Sequence, residues 1–165
     1  MRKNFLIFLL SLFLNACSKD NVKVSVINEK SLELQVLEAY KAGVESLEQG
    51  DVLFAAKKFN EAEILFPQSI WAPKSALMAA YAYYSQDYYE DAIAELKRFV
   101  RVYPKYKDLD YAYYLLGISY YEQIVDETKD LKSIVDAKDT FNILIQNFPN
   151  TEYSLDAEFK IDLIN

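Results

Sequence analysis

Histidine is absent from this 165-residue sequence, and cysteine occurs once, at position 17. The chain therefore has few of the side chains that most often act as general bases or nucleophiles near neutral pH. Its acidic residues are scattered over predicted helix faces without a convergent pair, and a solvated carboxylate lacks the burial that tunes a catalytic pKa. The sequence argues against an enzyme and predicts no metal site and no cofactor.

Basic residues, glycine and proline are also scarce. The 18 Lys and Arg residues are outnumbered by 25 Asp and Glu, which gives a net charge of −7. Such an acidic surface repels phosphate backbones and anionic lipid headgroups, so the composition argues against nucleic-acid binding. Three glycines and four prolines leave long stretches of helix-forming residues, which favours helices over sheets. The length suits a single domain or a single array of repeats.

The N-terminal sequence MRKNFLIFLLSLFLNAC resembles a bacterial lipoprotein signal. Two basic residues precede a mostly apolar stretch, Phe5–Leu14, that is too short for a stable transmembrane helix. Leu14-Asn15-Ala16-Cys17 resembles a lipobox, in which cleavage occurs directly before the cysteine. We therefore expect a signal peptide at residues 1–16. The alternative is an ordinary signal peptide or signal anchor with a buried, inert cysteine, but the position of the single cysteine favours the lipobox.

The lipobox resemblance implies that Cys17 carries a diacylglycerol on its sulfur and an acyl chain on its amine. Ser18 follows, where an aspartate would indicate retention in the inner membrane, so the implied location is the periplasmic face of the outer membrane. Residues 17–30 are polar and lack helical periodicity. They predict a lipid-anchored flexible tether with a reach of roughly 20 Å.

Three segments of the sequence end in an aromatic residue followed by proline, and they share one internal spacing. In each segment an alanine precedes the proline by twelve residues; the pairs are Ala55 and Pro67, Ala92 and Pro104, and Ala137 and Pro149. A helical hairpin whose second helix packs through a small residue and ends before a proline resembles the tetratricopeptide repeat of about 34 residues. The sequence therefore predicts an all-α tetratricopeptide-repeat αα solenoid over residues 31–165. Its repeats lie at about 36–69, 73–106 and 110–151, with a partial fourth from 152.

Aligning the three prolines also predicts which residues are buried. The expected core residues of the second helices are Phe59, Ala62, Leu96, Phe99, Phe141 and Leu144. The first helices carry a small residue where two helices cross closely; these residues are Gly43, Ala80 and Gly117. The first helix of the third repeat begins near Asp110, eight residues earlier than its proline predicts, so we expect an inserted surface loop around Asp126 to Lys132.

The tetrapeptide YAYY occurs at residues 81–84 and 111–114, in different registers of the repeat. First helices line the concave surface of tetratricopeptide arrays, and this resemblance implies that the first and fourth tyrosines of each tetrapeptide face the groove. The third tyrosines, Tyr83 and Tyr113, fall at core positions, as does Tyr120. The predicted peptide-binding groove consists of Tyr40, Leu77, Tyr81, Tyr84, Tyr111, Tyr114, Ile118 and Tyr121. The alternative is that a neighbouring helix of the same chain covers some of these rings.

Several stretches between Ser31 and Asn165 resemble the outer-membrane assembly lipoproteins of the BamD family. They include EAYKAGVESLEQGD, DLDYAYYLLGISYYE and FPNTEYSLDA. The resemblance implies a component of the BAM complex that contacts the periplasmic domains of the central barrel protein. It also implies binding of C-terminal targeting segments of unfolded outer-membrane proteins, whereas an aromatic groove alone indicates only an extended apolar peptide.

Members of this family have about two further repeats, which carry the main contact with the central barrel subunit. The resemblance therefore favours peptide capture and leaves docking to that subunit open. The alternative function is a periplasmic tetratricopeptide lipoprotein that acts as a scaffold for cell-wall or division proteins.

Overall fold

The structure is a computed structural model that describes residues 31–124 and 131–165. Within these residues the chain forms α-helices and no β-strand, which confirms the predicted fold class. The helices are α1 (Leu32–Glu48), α2 (Val52–Leu65), α3 (Trp71–Tyr84), α4 (Tyr89–Val102), α5 (Leu109–Tyr121), α6 (Leu131–Asn147) and α7 (Glu152–Leu163). The predicted signal peptide, Cys17, the predicted tether and residues 125–130, which include most of the predicted loop, lie outside the described residues. No helix in the described part of the chain is long and apolar enough to cross a membrane.

Side-chain caps and prolines set the helix ends. At the start of α1, the Ser31 hydroxyl accepts a hydrogen bond of 3.3 Å from the backbone N–H of Leu34. Asp51 and Thr151 cap α2 and α7 in the same way. Each cap satisfies one of the N–H groups that the first turn of a helix leaves without a partner. The helices α2, α4 and α6 each end two residues before a repeat proline, because the residue before proline disfavours the helical conformation.

The helices form an array of antiparallel hairpins. Each helix packs against the next one in the chain, and the first helices of successive pairs, α1, α3, α5 and α7, also lie against one another. The first helices therefore form one continuous face of the array.

The core register predicted from the proline spacing is confirmed. The alanine twelve residues before each proline is fully buried, and so are the other predicted core residues of the second helices. The residues with 0% exposure are Ala55, Phe59, Ala62, Ala92, Leu96, Phe99, Ala137, Phe141 and Leu144.

Two of the predicted close crossings depend on glycine. A methyl group at Gly43 would lie 2.8 Å from the ring of Phe59, and one at Gly117 would collide with the ring of Phe141. In the second repeat the buried Ala80 takes the place of glycine, and Leu96 takes the place of the facing phenylalanine. Glycine is therefore needed where the opposing helix presents an aromatic ring.

The insertion in the third repeat differs from the predicted loop at its C-terminal end. Helix α6 begins six residues before its buried alanine, whereas α2 and α4 begin three residues before theirs. Lys132, which the sequence placed in the loop, therefore lies in the first turn of α6. Its Nζ pairs with Asp136 at 2.6 Å, and such an i,i+4 pair stabilises a helix. Part of the insertion thus lengthens the helix.

A partly buried ion pair joins the first two repeats. Arg98 of α4 donates two hydrogen bonds to the carboxylate of Glu63 in α2, at 2.8 and 2.7 Å. The Tyr103 hydroxyl donates a third, at 2.6 Å. Glu63 is only 8% exposed, so these donors replace the water that its carboxylate loses on burial. The pKa of Arg98 is raised above its ordinary value, chiefly by the hydrogen bonds to Glu63.

Candidate functional site

An open cavity of about 910 Å³ lies on the face formed by the first helices, between α3 and the start of α5. Most of its lining is apolar or aromatic, and Tyr153 at the start of α7 closes one side. We call this surface the aromatic groove. Its apolar and aromatic lining residues are Ile70, Trp71, Pro73, Leu77, Met78, Tyr81, Tyr106, Tyr111 and Tyr153.

Three of the residues predicted for the groove line it, namely Leu77, Tyr81 and Tyr111. Leu77 is 7% exposed and forms part of the floor, whereas Tyr81 is 36% exposed and is open to a ligand. The first tyrosine of each YAYY tetrapeptide therefore lies on this surface. Both come from first helices that lie against each other, α3 and α5.

Helix α7 covers part of the tyrosine surface of α5. The ring of Tyr153 lies 5.4 Å from that of Tyr111 and 5.3 Å from that of Tyr114. The Tyr114 hydroxyl donates a hydrogen bond of 2.8 Å to Asp156. The pKa of Tyr111 and that of Tyr114 are raised above the ordinary value, chiefly because burial removes water from the hydroxyl group. Tyr114 does not line the aromatic groove, so the alternative of coverage by a neighbouring helix applies to it.

The other predicted groove residues also lie outside its lining. Ile118 is 4% exposed and belongs to the core, which corrects its assignment to the groove surface. Tyr84 is half-buried with its ring 5.9 Å from that of Tyr89. Tyr121 is half-buried beneath the ammonium of Lys160, at 4.7 Å. Packing by α4 and α7 removes these side chains from the groove.

Tyr40 occupies an intermediate place beside the groove. It is half-buried, and its ring lies 5.3 Å from Phe59 and 5.1 Å from Trp71, which does line the groove. Tyr40 therefore packs against the groove residue Trp71 and belongs to the core of the first repeat.

The tyrosines predicted for the core are packed against it to different degrees. Tyr120 is 7% exposed. Tyr83 and Tyr113 are half-buried beside the core, and the ring of Tyr113 lies 6.2 Å from that of Phe148. The third tyrosine of each tetrapeptide therefore does not line the groove, although neither is fully enclosed.

Several groove residues that were not predicted from the sequence lie at the starts of first helices or between repeats. Ile70 and Trp71 are at the start of α3, Tyr106 precedes α5, and Tyr153 is in the first turn of α7. Ile70, Trp71 and Tyr106 precede the first residues of their predicted repeats, at 73 and 110, so the repeat register assigns them no groove position. Tyr153 lies in the partial fourth repeat, for which no groove position was predicted. The aromatic residues that follow each repeat proline are the signal that could have identified them.

Four charged residues complete the lining of the groove: Lys74, Lys107, Asp108 and Asp110. The Lys74 ammonium lies over two rings, 5.0 Å from the centre of Tyr40 and 5.1 Å from that of Trp71. Lys107 lies 3.4 Å from Asp108. In the described residues no group of His, Cys, Asp and Glu side chains is arranged to hold a metal ion. The chemistry available in the groove is therefore apolar and aromatic contact with charged groups at its edge.

The fold and this surface define a tetratricopeptide-type array with an aromatic groove on its first helices. The chain belongs to the YfiO family of outer membrane lipoproteins, which matches residues 33–165. It is similar to proteins named outer membrane protein assembly factor BamD. This similarity confirms the family resemblance that was predicted from the sequence. These names describe an assembly factor and not an enzyme.

Three such relatives illustrate the extent of the similarity. The protein from Caulobacter vibrioides is 38% identical over 140 residues, which cover 85% of this chain and 45% of the relative. That from Rickettsia prowazekii is 36% identical, covering 76% of this chain and 50% of the relative. That from Neisseria meningitidis is 31% identical, covering 95% and 62%. The chain thus spans about half the length of the curated relatives it matches.

Proposed function

We propose that this chain is a component of the machinery that assembles β-barrel proteins in the outer membrane. In this role its aromatic groove binds the C-terminal targeting segments of unfolded barrel proteins and supports their insertion. The names of the relatives support the assembly role. The partners are the other subunits of the BAM complex, chiefly the periplasmic domains of its central barrel protein, and the contribution of the chain is binding and not catalysis.

The lining of the aromatic groove carries the proposal of peptide binding. Trp71, Tyr81 and Tyr106 present large, rigid side chains that combine apolar area with polar edges. Such rings bind an extended peptide at low conformational cost, because each has only two rotatable side-chain bonds. A segment rich in aromatic and aliphatic residues can bury its side chains in the groove while its backbone lies beside phenol and indole groups.

The proposal is tested by replacing the most exposed groove tyrosine. Tyr81→Ala should weaken binding of a labelled peptide taken from the C-terminus of a barrel protein by about 1–2 kcal/mol, because binding free energy concentrates in buried aromatic anchors. Fluorescence anisotropy on the full chain measures the affinity, and a urea titration shows whether the fold is retained.

Tyr88→Ala is the matched control. Tyr88 has a similar exposure, 43% against 36% for Tyr81, but it does not line the groove. Its removal should leave peptide affinity unchanged. Equal losses in the two variants, or no peptide binding by the unaltered chain, would contradict the proposed function.

The lipid anchor is part of the same proposal. Cys17 carries a diacylglycerol and an N-terminal acyl chain, which hold the chain on the periplasmic face of the outer membrane. Two or three acyl chains give stable attachment, since each buried CH₂ contributes about 0.8 kcal/mol.

Cys17→Ser should therefore abolish palmitate incorporation and leave an uncleaved precursor. Labelling of cells with radioactive palmitate measures the first effect, and the gel mobility of the protein, which differs between the precursor and the cleaved form, measures the second. The control is Ser18→Ala, which leaves the acceptor thiol in place and should be labelled normally. Continued labelling of the Cys17→Ser protein would show that the anchor lies elsewhere.

A further inference from the structure

We propose that Lys74 binds the terminal carboxylate of the peptide held in the aromatic groove, and that it makes the groove selective for a free chain end. This inference rests on the proposed peptide-binding function. It adds the residue that distinguishes the end of a chain from an internal segment.

Two aromatic rings fix the position of the Lys74 ammonium. The rings of Tyr40 and Trp71 lie 5.1 Å apart, and the Lys74 Nζ is about equally distant from the two centres, at 5.0 and 5.1 Å. Cation–π attraction of this kind restrains a lysine that would otherwise be mobile on the surface. It leaves N–H donors on the ammonium for an oxygen acceptor, because an ammonium carries three.

Lys74 is not neutralised by a carboxylate in the part of the chain that the structure describes. The ion pairs found there involve other cations, and the second lysine of the groove, Lys107, lies beside Asp108. This is notable in a sequence with 25 acidic residues and 18 basic ones. The ammonium of Lys74 is therefore available to an anionic group of a ligand.

The rest of the groove favours a carboxylate attached directly to an apolar residue. Leu77 and Tyr81 follow Lys74 on α3, so the cation and the apolar surface belong to the same cavity. Asp108 and Asp110 add negative charge to the same lining, so a ligand that carries several carboxylates is disfavoured. A peptide that ends in an apolar residue fits this arrangement, since it brings one carboxylate next to one apolar side chain.

Three forms of one labelled peptide test the inference by anisotropy on the full chain. The first ends in phenylalanine with a free carboxylate, the second is its C-terminal amide, and the third is the amide with aspartate as the penultimate residue. We expect the amide to bind about tenfold more weakly than the free acid, as for loss of one charge-assisted hydrogen bond. The aspartate peptide should not recover this loss. An amide that binds as tightly as the acid, or recovery by the aspartate, overturns the inference.

Variants at Lys74 connect the preference to this residue. Lys74→Gln should bind acid and amide about equally, whereas Lys74→Arg should retain the preference because it retains the charge. Lys97→Gln removes the same charge from an exposed lysine of α4 that does not line the groove, and it should leave the preference unchanged. A preference that persists in Lys74→Gln contradicts the inference.

The outcomes also separate this inference from the function on which it rests. Tight binding of acid and amide alike would preserve the groove as a peptide site and remove the role of Lys74. Absence of binding by every peptide form would refute both.

Discussion

Replacing Phe141 with alanine is expected to lower the free energy of unfolding by about 3–5 kcal/mol. Phe141 is fully buried, and its ring lies against the backbone of α5 at Gly117. Glycine has no side chain that could move into the vacated space. The substitution therefore removes apolar contact and leaves a cavity at the crossing of α5 and α6, and urea denaturation followed by circular dichroism measures the loss.

Two further variants control this result. Ile143→Ala, in the same helix but with 41% of the residue exposed, should cost less than about 1 kcal/mol. Gly117→Ala should destabilise the unaltered chain but should recover part of the loss in the Phe141→Ala background, because its methyl group then occupies free space. Equal effects of Phe141→Ala and Ile143→Ala would contradict the predicted packing of the third repeat.

Arg98→Met is expected to destabilise the chain by about 2–4 kcal/mol, because it leaves the Glu63 carboxylate buried without its main partner. The Glu63 side chain is 10% exposed and that of Arg98 is 32% exposed. Water can therefore reach the arginine side of the pair. For this reason we expect a smaller loss of stability than for removal of one partner from a fully buried ion pair. Urea denaturation measures the change.

The matched control is Arg101→Met, an exposed cation on the same helix that should have little effect. The double variant Glu63→Leu with Arg98→Met should recover most of the stability, since it removes both charges and leaves apolar side chains in the space. A double variant that is no more stable than Arg98→Met alone would show that the loss does not arise from the unpaired Glu63 carboxylate.

The repeat register could be predicted from the sequence because its determinants are local. A proline ends each second helix, and an alanine lies at a fixed distance before it, so the spacing alone places Ala55, Ala92 and Ala137 in the core. The requirement for glycine at residues 43 and 117 follows from the same helix crossings. The ion pair of Glu63 and Arg98 joins residues 35 positions apart and has no comparable local signal.

The groove could be predicted only in part, because its composition depends on how successive repeats lie against each other. Of the residues that the register assigned to the groove surface, Leu77, Tyr81 and Tyr111 line the observed cavity, and they lie on adjacent first helices. It could not show that α7 covers Tyr114 or that Ile118 is enclosed, since both depend on the distance between helices. Trp71 precedes the first residue of its predicted repeat, so the register gives it no groove position, and Tyr153 belongs to the partial fourth repeat, for which no groove position was predicted.

Trp71 permits the most direct test of whether the aromatic groove is the peptide-binding site. It is the only tryptophan in the sequence and it lines the groove, so its fluorescence reports on this surface alone. Titration of the full chain with an unlabelled barrel C-terminal peptide should produce a saturable change in Trp71 emission. The midpoint should equal the affinity measured by anisotropy and should shift to higher peptide concentration in Tyr81→Ala. Binding detected by anisotropy while Trp71 emission stays constant would place the peptide elsewhere and contradict the proposed site.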